Sequence, residues 1–219
     1  TTEIYTLSLH DALPIFSAYK KTEDGHEQHY GTNYLAPALL SLALMPALRK
    51  AGEEDPAAPA RVVFVCSKLH EFCDGLALED LAFDRRRYGA RAAYAQSKLA
   101  ELLFARALEK RLRGIGVSSV GTDASDQSSA AGDDGTKKPK RTTNARCLVV
   151  HPGNIVTGVV RTLPSFVQAA YRIIMGSILL TPAEGARASL FAATNAEALR
   201  EETLAPYFPS ECEARAPSP

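Results

Sequence analysis

A tyrosine and a lysine stand four residues apart, at Tyr94 and Lys98, in the stretch YAQSK. If this stretch is helical, the two side chains lie one turn apart on the same face of the helix. A fixed positive charge beside a phenol stabilises the phenolate, so we expect Lys98 to lower the Tyr94 pKa from about 10. The pair could therefore serve as a general acid/base, although the same spacing also fits an amphipathic helix with a solvated lysine.

Two apolar, largely β-branched runs flank this stretch and have the pattern of strands buried on both faces of a parallel sheet. They cover residues 60–66 and 145–150, and a long helix is predicted between them over residues 90–113. This order is typical of a right-handed parallel crossover, in which ligands bind beyond the carboxyl ends of the strands. Ser67 and the turn at 151–153 follow those ends, so we expect both to lie near Tyr94. The side chains expected on the buried side of the helix are Leu99, Leu102, Leu103 and Ala107.

A helix is also predicted over residues 22–50, with an acidic start at Glu23 and Asp24 and a leucine-rich apolar stripe. It contains Asn33, and Pro37 follows four residues later. Proline has no N–H, so Pro37 cannot donate to the Asn33 carbonyl. Either the helix is simply kinked there, or the carbonyl holds an ordered water near a reaction centre. His26 and His29 are expected on a solvated first turn and not in a metal site.

The C-terminal third predicts one more helix, over residues 182–194. Thr181 and Glu184 have the spacing of a capping box around Pro182. Residues 164–180 are apolar with helical spacing and fit equally a substrate lid or a helix packed in the core. The tail from residue 205 to 219 is expected to be an extended surface segment.

Two stretches are expected to lie outside the folded core. Residues 1–16 are interpreted as a non-native leader, because residues 1–15 resemble a translated sequencing adaptor; a short genuine strand is the alternative. Residues 118–144 are poor in apolar side chains and rich in Ser, Gly, Asp and Thr, so we expect a disordered insertion. These interpretations leave residues 17–219 as part of a single domain.

Composition narrows the classes of partner. The 25 basic and 25 acidic residues balance, which argues against a nucleic-acid-binding surface and favours small-molecule partners. The four cysteines lack metal-ligand spacing and are expected to be free thiols of a reducing compartment, so no metal site is predicted and a cytoplasmic location is expected. The longest apolar run is too short for a membrane span of about 20 residues.

Five stretches around these residues resemble the short-chain dehydrogenase/reductases, most closely the retinol-dehydrogenase-like branch. The resemblance runs from residue 22 to 219, and only the insertion at 118–144 interrupts it. The joint order of the five stretches makes coincidence improbable. They are TEDGHEQHYGTN at 22–33, RVVFVCSKLH at 61–70, YAQSKLAELLFARAL at 94–108, VVHPGNIVTG at 149–158 and TPAEGARASL at 181–190.

This resemblance implies hydride transfer between a nicotinamide cofactor, NADP or NAD with NADP favoured, and a carbonyl or alcohol. Tyr94 would pass the proton to or from the substrate oxygen, while Lys98 would lower its pKa and bind the nicotinamide ribose. Ser67 would hold the substrate oxygen, and the Asn33 carbonyl would bind a water that extends the proton relay. The implied cofactor contacts are Tyr94, Lys98, Pro152, Gly153 and Thr157.

An apolar small molecule is the expected substrate, such as a retinoid, a steroid or a lipid aldehyde or ketone. The resemblance leaves a homo-oligomer open for the full-length protein. His151 is interpreted as structural, since no carboxylate partner is evident. A hydrolase built on Ser67 and His151 is a weaker alternative, because the sequence has no GxSxG motif.

Departures from the family pattern decide what this chain is expected to be. The glycine-rich T-G-x-x-x-G-x-G turn that binds pyrophosphate is absent from the 219 residues, as is the N-A-G motif that usually precedes the first helix. We therefore expect an α/β fragment, the C-terminal catalytic half of a Rossmann-like, doubly wound parallel sheet, which is inactive alone. The alternative is a non-catalytic binding or regulatory module that works without cofactor.

Overall fold

The computed structural model of the chain describes residues 16–55, 58–113, 144–155, 179–200 and 205–209. The predictions for residues 1–15, for the insertion up to residue 143, for Thr157 and for most of the segment 164–180 lie outside the described residues. Short 3₁₀ turns cover Lys68–Phe72, Leu78–Asp80 and Glu197–Leu199. The main elements in chain order are helix α1 (Gln28–Ala43), helix α2 (Met45–Glu54), strand β1 (Ala60–Val65), helix α3 (Ala90–Leu112), strand β2 (Ala145–Val150), helix α4 (Pro182–Thr194) and strand β3 (Tyr207–Phe208).

Strands β1, β2 and β3 form one parallel sheet in that spatial order. Val65 pairs with Val150, and Val150 pairs with Phe208, so all three strands end at the same edge. We call this edge, defined by Val65, Val150 and Phe208, the carboxyl edge. The strand, helix, strand order of β1, α3 and β2 with parallel pairing confirms the crossover that the sequence predicts.

Helices cover both faces of the sheet, which is the partial Rossmann-like α/β arrangement expected from the sequence. On one face, α3 packs against side chains of β1 and β2, and on the other face α4 packs against β2 and β3. Burial of these apolar surfaces is the main force that holds the layers together. The two clusters are Leu102, Ala105, Leu108 and Leu112 with Phe64, Cys147 and Val149, and Ala188 and Ala192 with Leu148, Val150 and Phe208.

The buried side of α3 differs in part from the prediction. Leu102 is buried, but Leu103 is 42% exposed and Ala107 is also exposed. The buried stripe advances from Leu102 in steps of three and four residues, so Leu103 and Ala107 lie on the neighbouring stripe. Towards the start of α3, residues 93–98 are all buried, because α1 and the turn Lys68–Phe72 contact the helix there.

Helix α1 begins at Gln28 and not at residue 22. Residues 22–25 instead form a turn with Gly25 at φ 83°, and the Glu27 carboxylate caps the helix by accepting two backbone N–H groups of the first turn. The chain bends by 52° between α1 and α2. No single helix in the described part of the chain is long and apolar enough to cross a membrane. The bent pair of α1 and α2 taken together has the length and composition of a membrane span, and this is its only resemblance to one.

The leucine stripe predicted to bury α1 is wrong. The small or polar residues Gly31, Asn33, Ala38 and Ser41 are the buried ones, since their short side chains allow a close approach to the rest of the molecule. Four leucines of the predicted stripe are exposed, whereas Leu35 is half-buried and Leu48, on α2, packs against the core. The exposed ones are Leu39, Leu40, Leu42 and Leu44.

The two C-terminal predictions have opposite outcomes. Helix α4 spans Pro182–Thr194 as predicted, and the capping box is present: Thr181 Oγ1 accepts from Glu184 N at 3.2 Å while the Glu184 carboxylate accepts from Thr181 N at 2.8 Å. The prediction of a surface tail from residue 205 is wrong for Tyr207–Phe208. These two residues form β3, where pairing with β2 buries them to 7% and 2% exposure.

Candidate functional site

Ser67 lies two residues beyond the end of β1, at the carboxyl edge. Its Oγ caps the following 3₁₀ turn by accepting from Leu69 N at 3.3 Å, and its side chain is close enough to the Tyr94 phenol to lower the Tyr94 pKa. The backbone carbonyl of Ser67 accepts from His70 Nδ1 at 2.7 Å. The serine hydroxyl and the tyrosine hydroxyl are therefore brought together, as the sequence predicts.

Tyr94 lies in the buried first turns of α3, with 8% of its surface exposed. The ring of His29 meets it edge to face with centroids 6.1 Å apart, and the ring of Phe16 does so at 5.5 Å. Phe16 has a positive φ of 53°, so the chain turns sharply where it covers Tyr94.

The expectation of a lowered Tyr94 pKa is wrong. Burial raises the Tyr94 pKa above its ordinary value of 10.0, and this outweighs the lowering by the Lys98 charge and by the Ser67 side chain. Lys98 does act in the predicted direction, but removing the phenol from water is the larger effect. The Tyr94 phenol consequently keeps its proton at neutral pH and is ready to act as an acid.

Lys98 lies one turn after Tyr94 and is 3% exposed. Its ammonium donates to the Val65 carbonyl at 2.9 Å and to the Glu101 carboxylate at 2.8 Å. Burial works to lower the pKa of Lys98, but the charge of Glu101 and the neighbouring Tyr94 and Cys66 raise it above 10.5. Lys98 is therefore a buried cation fixed at the carboxyl edge, and the interpretation as a solvated lysine does not apply.

Asn33 is buried in α1, next to the same two turns of α3. Its side-chain amide donates to Ser97 Oγ at 3.2 Å, and Ser97 Oγ donates to the Tyr94 carbonyl at 2.7 Å. The helix widens to a π-turn over Gly31–Leu35, where Ala36 N donates to Gly31 O, directly before Pro37. This position fits the kink expected from Pro37. The water relay through the Asn33 carbonyl stays a prediction.

Pro152 and Gly153 follow β2 at the carboxyl edge. Because Val65 pairs with Val150, Pro152 and Ser67 both lie two residues beyond the paired strand ends. Gly153 has a φ of 82°, a conformation that a side chain would strain. The structure thus places Ser67, Lys98 and Pro152-Gly153 at the carboxyl edge, with Tyr94 beside Ser67 and Asn33 bonded to Ser97 of α3. Thr157 lies outside the described residues.

His29 contradicts the expectation of a solvated turn. It is fully buried, and its Nδ1 lies 2.7 Å from the Glu27 carboxylate, whereas His26 is exposed as predicted. Tyr88 Oη lies 3.3 Å from the same ring nitrogen. The sequence gives a weak signal for this pair, because an acidic side chain directly before a helix is a common cap. No group of three or more metal-binding side chains exists among the described residues.

Glu101 is the other site residue that the sequence analysis missed. It lies three residues after Lys98, a spacing at which helix side chains meet, and is 4% exposed. Burial raises the Glu101 pKa above 4.5 although the Lys98 charge and hydrogen bond lower it. The spacing was visible in the sequence, but the burial that makes the pair important was not.

Comparisons with known proteins give a consistent picture. No family model matches the chain. The chain is 32% identical over 212 residues to the dehydrogenase/reductase SDR family member FEY of Arabidopsis thaliana, covering 92% of this chain and 47% of that protein. It is 34% identical to human retinol dehydrogenase 12, covering 96% of this chain and 54% of the relative. The polyprenol dehydrogenase of Danio rerio is 36% identical over 81% of this chain and 46% of its own length.

A solved structure supports the same fold. The crystal structure of an uncharacterized protein from Mycobacterium paratuberculosis superposes with a TM-score of 0.54 and 27% sequence identity, covering 90% of this chain and 50% of that one. The chain therefore spans about half the length of the relatives that it matches. The shared half includes the strands and helices that carry the site described above.

Proposed function

Because the chain belongs to the short-chain dehydrogenase/reductases, we propose that its site interconverts a carbonyl and an alcohol with the help of NADP or NAD. The observation that carries this proposal is the juxtaposition of three side chains at the carboxyl edge: the Tyr94 phenol, the Ser67 hydroxyl beside it, and the buried Lys98 ammonium. Relatives of this chain are dehydrogenases and reductases by name, which supports oxidoreductase chemistry.

The donor set at the carboxyl edge fits the nicotinamide end of such a cofactor. An ammonium has three N–H donors, and Val65 and Glu101 take two of them. The third is available for a ribose hydroxyl, and the backbone of Pro152-Gly153 borders the same edge. When bound, the nicotinamide cofactor supplies or accepts the hydride.

In the reducing direction, Ser67 donates a hydrogen bond to the substrate carbonyl oxygen and orients it. Tyr94 donates its proton to that oxygen as negative charge develops there, and the positive charge of Lys98 stabilises the phenolate that remains. In the oxidising direction the same groups act in reverse, with the phenolate accepting the alcohol proton. The His29 ring, which packs edge to face against the phenol ring, helps to hold it in one orientation.

An apolar alcohol, aldehyde or ketone is the proposed substrate class, such as a retinoid, a steroid or a lipid. The names of two relatives, retinol dehydrogenase and polyprenol dehydrogenase, support an isoprenoid alcohol among these. We propose NADP as the preferred nucleotide.

The 219 residues by themselves are proposed not to turn over substrate. The sequence holds no glycine-rich turn of the kind that cradles pyrophosphate in this family, and the chain spans about half of its relatives. Measurable NADPH-dependent turnover by the 219-residue chain contradicts this part of the proposal.

The test is an assay of the protein expressed from the complete reading frame of the source gene. Oxidation of NADPH and of NADH is followed with a retinoid aldehyde, a polyprenyl aldehyde and a ketosteroid. Tyr94→Phe is expected to lower kcat/KM by about 10²–10⁴-fold, because the proton donor is lost. Tyr19→Phe is the matched control, since this exposed phenol donates to the Ala82 carbonyl on the surface.

Two outcomes overturn the proposal. One is a Tyr94→Phe variant that turns over as fast as the unchanged protein. The other is a folded full-length protein that turns over no substrate with either nucleotide and binds neither, which favours the non-catalytic binding module instead.

A further inference from the structure

The Lys98 ammonium is held by a carboxylate that the chemistry proposed above does not use. Glu101 Oε2 accepts from Lys98 Nζ at 2.8 Å, and the side chains of Lys98 and Glu101 are only 4% and 6% exposed. Lys98 also donates to the Val65 carbonyl, so the ammonium is fixed between the last residue of β1 and the next turn of α3. Among the described residues, Lys98 provides the one hydrogen bond that the structure gives to the Glu101 carboxylate.

A buried ion pair of this kind does not serve stability well. Removing two charges from water costs several kcal/mol each, and apolar side chains of similar volume often stabilise a core equally or better. Glu101 is next to the apolar residues Ala100 and Leu102, which are 3% and 1% exposed. A glutamate at this buried position is therefore better explained by its effect on Lys98 than by packing.

The other ionisable groups around the pair come from three further elements. Cys147, from β2, is a thiol whose pKa is raised by burial and by the charges of Glu109 and Glu101. Cys66, from the end of β1, donates its Sγ hydrogen bond to the Lys98 carbonyl at 3.4 Å, and burial raises its pKa to about 12, so it is a neutral thiol. His29, from α1, meets the Tyr94 ring edge to face. Glu101 is consequently the negative charge that directly opposes Lys98.

We propose that Glu101 is a positioning residue of the Tyr94 and Lys98 pair, which fixes the ammonium at the end of β1 and makes loss of a proton from the pair harder. This inference deepens the proposed function and rests on its assignment of Tyr94 and Lys98. The charge of Glu101 raises the pKa of both Tyr94 and Lys98, which agrees with this proposal. The site therefore holds its proton until a substrate oxygen takes it.

The experiment is an NMR titration of the 219-residue chain labelled with ¹³Cζ-tyrosine, with the Tyr94 signal assigned by Tyr94→Phe. In Glu101→Gln, the first deprotonation of the Tyr94 and Lys98 pair is expected to move to lower pH by about one pH unit or more. This sign holds whichever of the two groups releases the proton, because a nearby negative charge has been removed. Glu101→Asp keeps the charge and is expected to restore most of the original midpoint.

Glu109→Gln is the matched control. Glu109 is a second buried glutamate on α3, two turns further on, and it pairs with Arg113 and Arg146 instead of Lys98. Its loss is expected to lower the melting temperature without moving the Tyr94 midpoint. If the first midpoint of the pair, read from the Tyr94 and Lys98 signals together, is unchanged or raised in folded Glu101→Gln, the proposal is overturned; an equal downward shift in Glu109→Gln overturns it as well.

If Glu101→Gln does not fold, the unchanged chain provides the second measurement. The Lys98 ¹⁵Nζ signal, assigned by Lys98→Arg, is expected to be protected from solvent exchange and to respond as Glu101 takes up a proton on acidification. A Lys98 signal that exchanges and titrates like the exposed Lys50 overturns the proposal. Neither readout needs turnover, so failure of this inference and failure of the proposed function are distinguished.

Discussion

Helix α3 buries two glutamates, Glu101 near its middle and Glu109 near its C-terminal end, and the two have different surroundings. Glu109 accepts hydrogen bonds from Arg113 Nε at 2.7 Å, Arg146 Nε at 2.8 Å and the backbone N–H of Cys147 at 2.7 Å. Glu101, at the carboxyl edge, accepts from Lys98 at 2.8 Å. The first arrangement joins α3 to the start of β2 through two donors of β2, with a third donor from the end of α3, whereas the second joins a carboxylate to a proposed active-site cation.

This difference indicates that the two glutamates of α3 have different roles: Glu109 stabilises the fold, and Glu101 acts on the proposed active site. A carboxylate with three donors and two facing guanidinium groups is well compensated for burial, and Arg146 also donates to the Leu199 carbonyl at 2.7 Å. A carboxylate with one ammonium partner is less well compensated and leaves the pair sensitive to nearby charge. We expect changes at Glu109 to alter stability and changes at Glu101 to alter proton affinity at the site.

The largest effects on stability and on turnover are expected when Lys98, alone or together with Glu101, is replaced by an apolar residue. Lys98→Met alone leaves Glu101 buried without its partner, which costs about 3–5 kcal/mol of unfolding free energy. The double variant Lys98→Met/Glu101→Leu is expected to recover most of this stability, because no buried charge remains. In the full-length protein, kcat/KM of this double variant is expected to remain at least about 10²-fold below that of the unchanged protein. Urea unfolding measures the stability and steady-state kinetics measure the turnover. Recovery of turnover in the double variant contradicts the claim that the Lys98 and Glu101 pair serves the chemistry of the site.

The next largest effect is expected at the other glutamate. Glu109→Gln leaves two guanidinium groups without their shared charge and is expected to lower the unfolding free energy by about 3–5 kcal/mol. Urea denaturation of the 219-residue chain measures it. Glu53→Gln, an exposed glutamate on α2, is the control and is expected to change stability by less than about 0.5 kcal/mol. A Glu109→Gln variant as stable as this control contradicts the supporting role of Glu109.

A third prediction concerns Glu27, whose carboxylate pairs with His29, the residue that contacts the Tyr94 ring. Burial raises the pKa of Glu27, but hydrogen bonds from the His29 ring and from two backbone N–H groups lower it more, so the folded-state pKa lies below 4.5. Its stabilising effect is therefore present above the unfolded-state pKa and is lost as pH falls through the folded-state value. Glu27→Gln is expected to cost about 1–3 kcal/mol at pH 7 and progressively less below pH 4.5.

Denaturant titrations at several pH values measure the difference between Glu27→Gln and the unchanged chain. Glu23→Gln, in the exposed turn before α1, serves as the control for the loss of an exposed carboxylate. A stability difference for Glu27→Gln that grows as the pH falls below 4.5 contradicts the sign of the Glu27 shift.

The smallest effect on stability is expected at Arg113, the more exposed of the two arginines that pair with Glu109. Arg113 lies at the end of α3 with its side chain 13% exposed, and its removal leaves Glu109 with Arg146 and Cys147 N. Arg113→Ala is therefore expected to cost about 1 kcal/mol in urea unfolding. A loss as large as that of Glu109→Gln shows that Arg113 is the main partner and not one of three.

Much of this fold is predictable because its signals are local. The apolar runs at 60–66 and 145–150 show the strands, and Thr181 with Glu184 shows the start of α4 without knowledge of any neighbour. Strand β3 could not be predicted in this way, because two residues carry no periodicity and their burial depends on pairing with β2.

The candidate site shows the same limit. Spacing alone places Tyr94 and Lys98 on one helix face, and the strand ends bring Ser67 and Pro152-Gly153 to them. Spacing does not show that α1 and the turn Lys68–Phe72 remove this face from water, which decides the sign of the Tyr94 shift. The importance of Glu101 and the burial of His29 follow from that same enclosure.

Direct transfer of hydride to a substrate carbonyl is the central claim, and an isotope measurement tests it most directly. The full-length protein is incubated with a retinoid aldehyde and NADPH deuterated at either face of nicotinamide C4, and the alcohol product is weighed by mass spectrometry. We predict that one of the two labelled cofactors gives alcohol heavier by one mass unit and that the Tyr94→Phe variant gives almost no alcohol. Alcohol that carries no deuterium from either cofactor contradicts the account.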